Sequence, residues 1–268
     1  MAYNKLLDVP CVLYCNDCFD ILKTMEKNSV DMVITSPPYD NLRVYGDSNA
    51  VLTWDKFTAI AKELYRVIKK GGVLVWVVGD ATRNGSETGT SFKQALFFKE
   101  CGFAIYDTMI YRKQNYMPLT HRRYEQEFEY MFVLSKGRPK TFNPIMVPCK
   151  YAGTKTWGSA TYHKNNDSGL VSCGEHTVSD YKQHGNIFTY LTNKSKKTKQ
   201  HPAPFPEQLA IDQISTWSNE GDVVLDIFMG SGTSGVAARK LNRNYIGIEI
   251  EKSYCDIAKE RIVECVSC

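Results

Sequence analysis

The sequence predicts an α/β protein in which an open β-sheet is flanked by helices. Apolar, β-branched runs typical of buried strands alternate with segments whose apolar residues keep helical spacing. The strand-like runs are Val30–Ile34, Val73–Val78, Val223–Phe228 and Asn244–Glu249. The third run leads into a glycine-rich turn, Met229–Thr233, and then into a helical pattern. A strand, a glycine turn and a helix in this order are typical of nucleotide-binding α/β folds.

The remaining elements follow from the same two spacings. The predicted helices cover 20–27, 57–70, 92–101 and 207–215, and a further helix carries Tyr254, Ile257, Ala258 and Ile262 near the C terminus. Gly71 and Gly72 are expected to end the second helix. Strands are predicted at 11–15, 104–111 and 128–134, the last two as an antiparallel pair, and 81–91 is predicted to be a loop.

Composition restricts the class of protein. The chain has 268 residues, of which 43% are hydrophobic and 23% charged, as in an ordinary globular domain with one large core. It contains no apolar run long enough to span a bilayer and no signal-peptide core at its start, so a cytoplasmic location is expected.

Cysteine usage favours reduced thiols. The nine cysteines are odd in number and scattered through strand-like and helix-like stretches, which favours buried thiols over disulfides. The pairs Cys15/Cys18 and Cys265/Cys268 have metal-ligand spacing but lack the usual turn glycines. We therefore expect no metal site.

Charge is distributed unevenly along the chain. The segment from Lys136 to Gln200 carries eleven Lys or Arg against three acids, whereas the whole chain has a formal charge of +4. Basic residues interleaved with aromatic ones predict contact with a polyanion. The aromatic residues expected to be exposed there are Tyr151, Trp157, Tyr162, Tyr181 and Tyr190.

The turn Thr35–Tyr39, with the sequence Thr-Ser-Pro-Pro-Tyr, follows the strand Val30–Ile34 directly. Prolines cannot donate to a strand ladder, so the strand is expected to end in a stiff turn at the sheet edge where α/β folds bind ligands. The Ser36 hydroxyl and the Pro37 carbonyl can accept hydrogens from an amino group, and Tyr39 can stack on a base. The chemistry suited to this turn is methylation of an exocyclic amino group on a nucleobase.

The glycine turn and the strand after it suit a nucleoside cofactor. Gly230 and Gly232 allow the backbone to approach a ligand closely. Glu249 ends the next strand about twenty residues later, where a carboxylate can accept hydrogen bonds from ribose hydroxyls. The third glycine of the dinucleotide fingerprint is missing.

Together, Thr35–Tyr39 and Asp226–Thr233 resemble the motifs of DNA amino-methyltransferases that use S-adenosylmethionine. The target-base motif precedes the cofactor motif, as in the permuted β group of that family; Ile227 stands where the family usually has proline. The resemblance implies a Rossmann-like methyltransferase sheet flanked by helices, with an inserted target-recognition region. It divides the chain into a catalytic half (1–134), the target-recognition region (135–198) and a cofactor-binding half (199–268).

The resemblance also implies roles for individual residues. The catalytic turn comprises Ser36, Pro37, Pro38 and Tyr39. The implied cofactor-binding residues are Asp17, Thr35, His201, Pro202, Phe205, Asp226, Phe228, Gly230, Ser231, Gly232, Thr233 and Glu249. The residues expected to contact DNA are Arg43, Lys194, Lys196 and Lys197, the lysines through phosphates. Two of these assignments compete with structural roles, because Asp17 could simply cap a helix and His201 could be a turn residue.

Several functions stay open at this point. Serine before Pro-Pro favours cytosine N4 as the methyl acceptor, with adenine N6 as the alternative. Methylation at cytosine C5 would need a nucleophilic cysteine, and two cysteines are preceded by proline. Cys11 begins a strand and Cys149 lies in the basic segment, so neither occupies the place of Thr35–Tyr39, which would have no role in that reaction. Methylation of RNA or of a protein amide stays open as well, and so does a catalytically degenerate DNA-binding module. The expected partners are double-stranded DNA, a second copy of the chain and a cognate restriction endonuclease.

Overall fold

A computed structural model of the chain describes residues 10–38, 52–116, 122–164, 167–191 and 206–265. Within these ranges, no helix is both long and apolar enough to cross a membrane. The chain divides into two compact units, a larger one formed by Met1–Asn143 and Asn186–Cys268 and a smaller one formed by Pro144–Gly185.

The larger unit contains the six described helices and the main sheet, and the strands of both units are numbered together. In chain order the strands are β1 (Cys11–Cys15), β2 (Val30–Thr35), β3 (Ile68–Val78), β4 (Thr82–Arg83), β5 (Ser86–Glu87), β6 (Ala104–Lys113), β7 (Phe128–Ser135), β8 (Met146–Pro148), β9 (Lys155–Lys164), β10 (Asp167–Thr177), β11 (Tyr181–Gln183), β12 (Ile187–Tyr190), β13 (Val223–Asp226) and β14 (Asn244–Glu249). The helices are α1 (Cys18–Thr24), α2 (Trp54–Val67), α3 (Thr90–Glu100), α4 (Glu207–Trp217), α5 (Thr233–Lys240) and α6 (Lys252–Glu264).

The main sheet has eight strands in the order β1-β14-β13-β2-β3-β7-β6-β12. Neighbouring strands from β1 to β3 are parallel, and β7 is antiparallel to both β3 and β6. Strand β14, which comes after the glycine turn, therefore lies two places from β2, which leads into the target-base turn, and β13 lies between them. The predicted fold class, an α/β sheet flanked by helices, is confirmed.

Aromatic side chains of α2, α3 and β3 form the centre of the core. The rings of Phe57, Trp76 and Phe98 are almost completely buried, and the Phe57 and Phe98 centroids lie 5.3 Å apart. Trp76 Nε1 donates to Gln94 Oε1 at 2.8 Å, so its polar atom is satisfied inside the core. Burying a large apolar side chain contributes about 1.5–3 kcal/mol, so this cluster fixes both helices on β3.

The predicted end of the second helix is wrong. Helix α2 ends at Val67, and Ile68, Lys69 and Lys70 already belong to β3, where Ile68 pairs with Val30 of β2. The β-branched Ile68 is fully buried in that pairing. Pairing with β2 therefore ends the helix before the two glycines are reached.

The predicted loop 81–91 contains a hairpin. Strands β4 and β5 pair around Asn84 and Gly85, whose φ angles of 51° and 77° are both positive. Asn-Gly favours this two-residue turn because both residues tolerate the left-handed conformation. The first helix also differs from its predicted bounds, since α1 begins at Cys18, directly after its cap Asp17.

The smaller unit consists of two antiparallel strand pairs, β8 with β11 and β9 with β10. Three aromatic residues predicted to be exposed are so, since Trp157, Tyr151 and Tyr181 are 76%, 62% and 60% accessible. Residues 144–185 contain four basic and three acidic residues, so most of the basic excess between 136 and 200 lies outside this unit.

Both ends of the basic segment belong to the larger unit, and they contain Lys136 and Tyr190. Tyr190 was predicted to be exposed, but it is buried in β12 and its hydroxyl donates to Asp212 Oδ2 at 2.7 Å. Lys136 Nζ donates to the carbonyls of Tyr65 and Ile68 at 2.6 and 2.8 Å. The Lys136 charge therefore stabilises the C-terminal end of α2.

Candidate active site

Four predicted site residues that the structure describes lie along one edge of the sheet. Strands β1, β14, β13, β2 and β3 are parallel, so their carboxyl ends lie side by side. Thr35 ends β2, Asp226 ends β13, Glu249 ends β14, and Asp17 follows β1 by two residues. Residues far apart in sequence are thus placed along a single edge, where open α/β sheets bind ligands.

The target-base turn leaves β2 at Thr35. Thr35 is the last ladder residue of β2 and pairs with Trp76 of β3. Thr35 and Pro37 are buried, whereas Ser36 and Pro38 are partly accessible. The strand thus stops where the prolines begin, and Ser36 comes to the sheet edge with part of its surface open to a ligand.

Glu249 is held against the glycine turn by backbone amides. The Gly230 amide donates to Glu249 Oε2 and the Glu251 amide donates to Oε1, each at 2.9 Å. Burial raises the pKa of Glu249, and these amide hydrogen bonds oppose the rise. A carboxylate fixed in this way keeps lone pairs that can accept hydrogen bonds from ribose hydroxyls.

The glycine turn is also fixed by α6. Arg261 Nη1 donates to the Ser231 carbonyl at 2.5 Å and to Ser231 Oγ at 3.0 Å, and it lies 3.3 Å from Thr233 Oγ1. This helix was predicted to serve only the core, and Arg261 was missed. Its spacing from Tyr254 and Ala258 places it on the buried face of the helix, which is the signal that identifies it.

Gly232 is required by the packing of α6 as well as by any ligand. Its φ angle is +77°, and a Cβ atom added there would lie 2.8 Å from Ala258 Cβ. A side chain at this position would be strained in backbone conformation and would collide with α6. Replacement of Gly232 therefore disturbs the fold before it affects ligand approach.

Asp226 is buried, and both of its carboxylate oxygens accept hydrogen bonds. Its Oδ1 accepts from Thr35 Oγ1 at 2.7 Å and from the Phe228 amide at 3.0 Å, and its Oδ2 accepts from Ser234 Oγ at 2.5 Å. Burial raises the pKa of Asp226 to about 6, although these hydrogen bonds oppose the rise. Both carboxylate oxygens thus bind groups of the protein itself.

Asp17 has the capping role that competed with cofactor binding. Its Oδ1 accepts from the Phe19 amide at 2.8 Å, which caps α1, and its Oδ2 accepts from Lys56 Nζ at 2.5 Å. Burial acts to raise the pKa of Asp17, but the hydrogen bonds from Lys56 and Phe19 outweigh it, and the pKa is lowered. Lys56 lies in the first turn of α2 and was not among the predicted site residues.

A family model described as DNA methylase, N6_N4_Mtase, matches residues 30–260. The chain belongs to this family of DNA methylases. The predicted resemblance is therefore confirmed. Of the site residues above, Asp17 and Arg261 lie outside the matched range and the others lie within it.

Relatives of the methylase extend over most of its length. It is 47% identical over 240 residues to the orphan methyltransferase M.BamHII of Bacillus amyloliquefaciens, which covers 87% of this chain and 89% of the relative. The solved complex of M1.HpyAVI with SAM is similar with a TM-score of 0.64 at 27% identity, over 94% of this chain and 98% of that one. The cytosine-N4-specific PvuII DNA methyltransferase gives a TM-score of 0.69 at 19% identity, over 96% and 92% of the two chains. At that identity the likeness concerns the fold alone.

Some predicted site residues of the methylase lie outside the described residues. They are Tyr39, Arg43, Lys194, Lys196, Lys197, His201, Pro202 and Phe205. Their assignments stay predictions from the sequence.

The described cysteines are free thiols, and the pKa of one of them bears on the C5 alternative. The seven cysteines whose side chains the structure describes are free thiols, and no cluster of His, Cys, Asp or Glu in the described ranges could hold a metal ion. Burial raises the pKa of Cys11 to about 11, so this thiol is poorly suited to the nucleophilic role that C5 methylation requires.

Replacing Asp17 separates helix capping from the cofactor contact that the sequence predicts for it. We expect Asp17→Ala to lower the free energy of unfolding by about 1 kcal/mol, because the N-cap of α1 is lost. Asp17→Ser keeps a capping hydroxyl but removes the carboxylate, so it should restore stability without restoring affinity for S-adenosylmethionine. Urea unfolding and calorimetric titration of both variants test this. Full affinity in Asp17→Ser would leave helix capping as the whole role of Asp17.

Asp226 makes the methylase's stability depend on pH in an unusual direction. Its pKa rises from 3.8 to about 6 on folding, so the folded state binds a proton more tightly than the unfolded state. The stabilisation is fully present below pH 3.8 and is lost as the pH rises through 6, a difference of about 3 kcal/mol.

Urea unfolding of the wild type and Asp226→Asn from about pH 4 to about pH 7 isolates this contribution, because the other titrating groups are common to both proteins. Relative to the variant, the wild type should lose about 2.4 kcal/mol over the range, because at pH 4 the carboxyl is already partly ionised in the unfolded state. Parallel stability curves would contradict the assignment.

Proposed function

We propose that the chain methylates DNA at an exocyclic amino group, with cytosine N4 as the acceptor and S-adenosylmethionine as the methyl donor. The observation that carries the proposal is the arrangement of the carboxyl edge, where Ser36 and Pro37 leave β2 beside the strand that leads into the Gly230 turn. The turn at Ser36 and Pro37 suits an amino group that accepts a methyl group, and the Gly230 turn suits a nucleoside. No thiol nucleophile is needed.

The cofactor assignment is supported by the donor set at the glycine turn. Glu249 offers a fixed, partly buried acceptor for ribose hydroxyls, and the backbone of Gly230–Thr233 passes close by. The solved relative M1.HpyAVI binds SAM, which supports the same donor here. S-adenosylmethionine supplies a methyl group on a positively charged sulfonium, which is activated for direct transfer.

The residues of the target-base turn act on the acceptor. The Ser36 hydroxyl and the Pro37 carbonyl accept hydrogens of the amino group and direct its lone pair away from the ring plane. Tyr39 stacks on the base after it has been extruded from the duplex. Alignment of the two reacting atoms supplies much of the rate, and no covalent intermediate with the protein forms.

Cytosine N4 is favoured over adenine N6 by the residue at position 36. A serine hydroxyl is neutral and a weaker acceptor than a carboxylate, and the smaller cytosine ring leaves more space beside it. Adenine N6 is the second candidate, because the Pro-Pro-Tyr turn suits either amino group. Homodimerisation and a cognate restriction endonuclease are predictions from the family resemblance.

Expression in a bacterial host without DNA methyltransferases of its own tests the proposal. Genomic DNA from cells that express the wild type should contain N4-methyldeoxycytidine, and DNA from cells that express Ser36→Ala should not. N6-methyldeoxyadenosine would instead identify adenine as the base. Methylated RNA or protein with unmodified DNA would overturn the DNA assignment.

A further inference from the structure

Four buried polar side chains form a hydrogen-bond network between the target-base turn and the cofactor turn. Thr35 Oγ1 donates to Asp226 Oδ1 at 2.7 Å, Ser234 Oγ donates to Asp226 Oδ2 at 2.5 Å, and Ser234 Oγ lies 2.9 Å from Tyr245 Oη. Thr35 and Ser234 are fully buried, and Asp226 and Tyr245 are 1% exposed. Two of these residues, Ser234 and Tyr245, have no role in the site described so far.

The direction of the hydrogen bonds follows from the number of protons. Ser234 has one hydroxyl proton, and an ionised Asp226 can only accept, so that proton lies between Ser234 and Asp226. Tyr245 must then donate to Ser234. The hydrogen-bond network therefore runs from Tyr245 through Ser234 to the Asp226 carboxylate, which also accepts a hydrogen bond from the Thr35 hydroxyl. Hydrogen bonds to a buried charge are shorter and stronger than neutral ones.

This hydrogen-bond network lies where the backbone pairing between β13 and β2 ends. The ladder between β13 and β2 pairs Val224 with Met32 and Leu225 with Val33. The contact between Thr35 and Asp226 lies beyond those pairs, at the last residue of each strand. The side chains thus join the strands at the points from which both functional turns begin.

Ser234 and Tyr245, which lie on the other side of Asp226 from Thr35, are anchored in regular secondary structure. Ser234 lies in the first turn of α5, and Tyr245 lies in β14 with its ring fully enclosed. Asp226 Oδ1 also accepts the Phe228 amide, so the same carboxylate holds the start of the cofactor turn. A shift of α5 or β14 would therefore change the position of Thr35.

We propose that Ser234 and Tyr245 are positioning residues which, through Asp226 and Thr35, set the distance between the target-base turn and the cofactor turn. Thr35 and Asp226 then serve the site through this connection rather than by touching the cofactor. The inference rests on the proposed function, since methyl transfer requires the two turns to hold donor and acceptor in alignment. An error of about 1 Å in such an arrangement can reduce the rate about 100-fold.

Kinetics of variants that each lack one hydroxyl test the positioning role. Thr35→Val and Ser234→Ala should lower the single-turnover rate of methyl transfer by about 10- to 100-fold, and Tyr245→Phe should lower it less, because Ser234 keeps its bond to Asp226. The dissociation constant for S-adenosylmethionine should change by less than about threefold, as expected when an interaction acts on the transition state alone. Thr35→Ser retains the hydroxyl and should restore the rate.

Ser135→Ala is the matched control. Ser135 is a fully buried serine at the end of β7 whose hydroxyl has no partner among the described residues, so its removal should leave the rate unchanged. A wild-type rate in Thr35→Val would overturn the proposal. So would an affinity for S-adenosylmethionine that falls as much as the rate, because that result would indicate direct contact with the cofactor.

Hydrogen exchange tests the connection without any activity. In Ser234→Ala and Tyr245→Phe, the backbone amides of Thr35 and Ser36 should exchange faster than in the wild type, while that of Met131 in β7 should not change. Unchanged exchange at Thr35 and Ser36 would overturn the inference even if the wild type methylates DNA. If the wild type methylates nothing, the proposed function fails and the exchange result alone decides this inference.

Discussion

Ser36→Ala should abolish most methyl transfer while leaving the affinity for S-adenosylmethionine near that of the wild type. The Ser36 hydroxyl is one of two acceptors proposed for the amino group, and it acts where charge develops in the transition state. Removal of one such group typically lowers kcat by about 10²- to 10³-fold. Single-turnover kinetics and calorimetric titration of the purified variant measure the two quantities separately.

Ser29→Ala is the control for this variant. Ser29 precedes β2 at the opposite edge of the sheet, and its hydroxyl donates to the Glu26 carbonyl at 2.7 Å. This change should leave the rate of transfer unaltered. If Ser36→Ala instead lost cofactor affinity with its fold intact, Ser36 would belong to the cofactor site and its assignment to the methyl acceptor would be wrong.

Glu249→Gln should show the reverse pattern, a loss of cofactor affinity with little change in the rate at saturating cofactor. The carboxylate is proposed to accept hydrogen bonds from ribose hydroxyls, and hydrogen bonds to a charged group contribute about 1.5–3 kcal/mol, which corresponds to about 10- to 100-fold in affinity. The amide of glutamine would also direct a donor towards the amide of Gly230 or Glu251, and this conflict should loosen the glycine turn.

Glu260→Gln serves as its control, because Glu260 is an exposed acid on α6 and its replacement changes the net charge by the same amount. Equilibrium titration with S-adenosylmethionine should show wild-type affinity for Glu260→Gln and weakened binding for Glu249→Gln. Equal affinities in the two variants would contradict the ribose assignment.

The sequence was sufficient to predict the strands that build the site. Each of the central strands is an apolar run that ends in a strong signal, such as the two prolines after Thr35 or the glycines after Asp226. Because these strands are parallel and buried on both faces, their composition differs sharply from that of the loops. The meeting of Thr35, Asp226 and Glu249 at one edge then follows from the general rule for α/β sheets.

Other features depend on contacts between distant segments. Ile68 leaves α2 because it pairs with Val30, and the glycines at 71 and 72 gave the more obvious local stop signal. The hairpin at Asn84–Gly85 was detectable, since Asn-Gly is a strong turn signal, but the polar residues around it favoured a loop. Tyr190 was misassigned because its burial depends on the partner Asp212 in α4.

The polar contacts within the site could not be read from the sequence. Asp226 is predicted from its place in a motif to bind the cofactor, and the motif gives no sign of its hydrogen bonds with Thr35 and Ser234. The pairing of Asp17 with Lys56 and the contact of Arg261 with the glycine turn likewise join residues on different elements. Helical spacing places Arg261 on the buried face of α6, but the atoms that these side chains contact depend on side-chain geometry, on which periodicity carries no information.

The central claim is transfer of a methyl group from S-adenosylmethionine to an amino group of DNA, and nucleoside mass spectrometry tests it most directly. Purified protein is incubated with unmethylated DNA and methyl-labelled S-adenosylmethionine, and the DNA is digested to nucleosides. We expect the label in N4-methyldeoxycytidine; label in N6-methyldeoxyadenosine would retain the mechanism and change the base. Unlabelled nucleosides from DNA of varied sequence, with cofactor binding measured in the same preparation, would contradict the account.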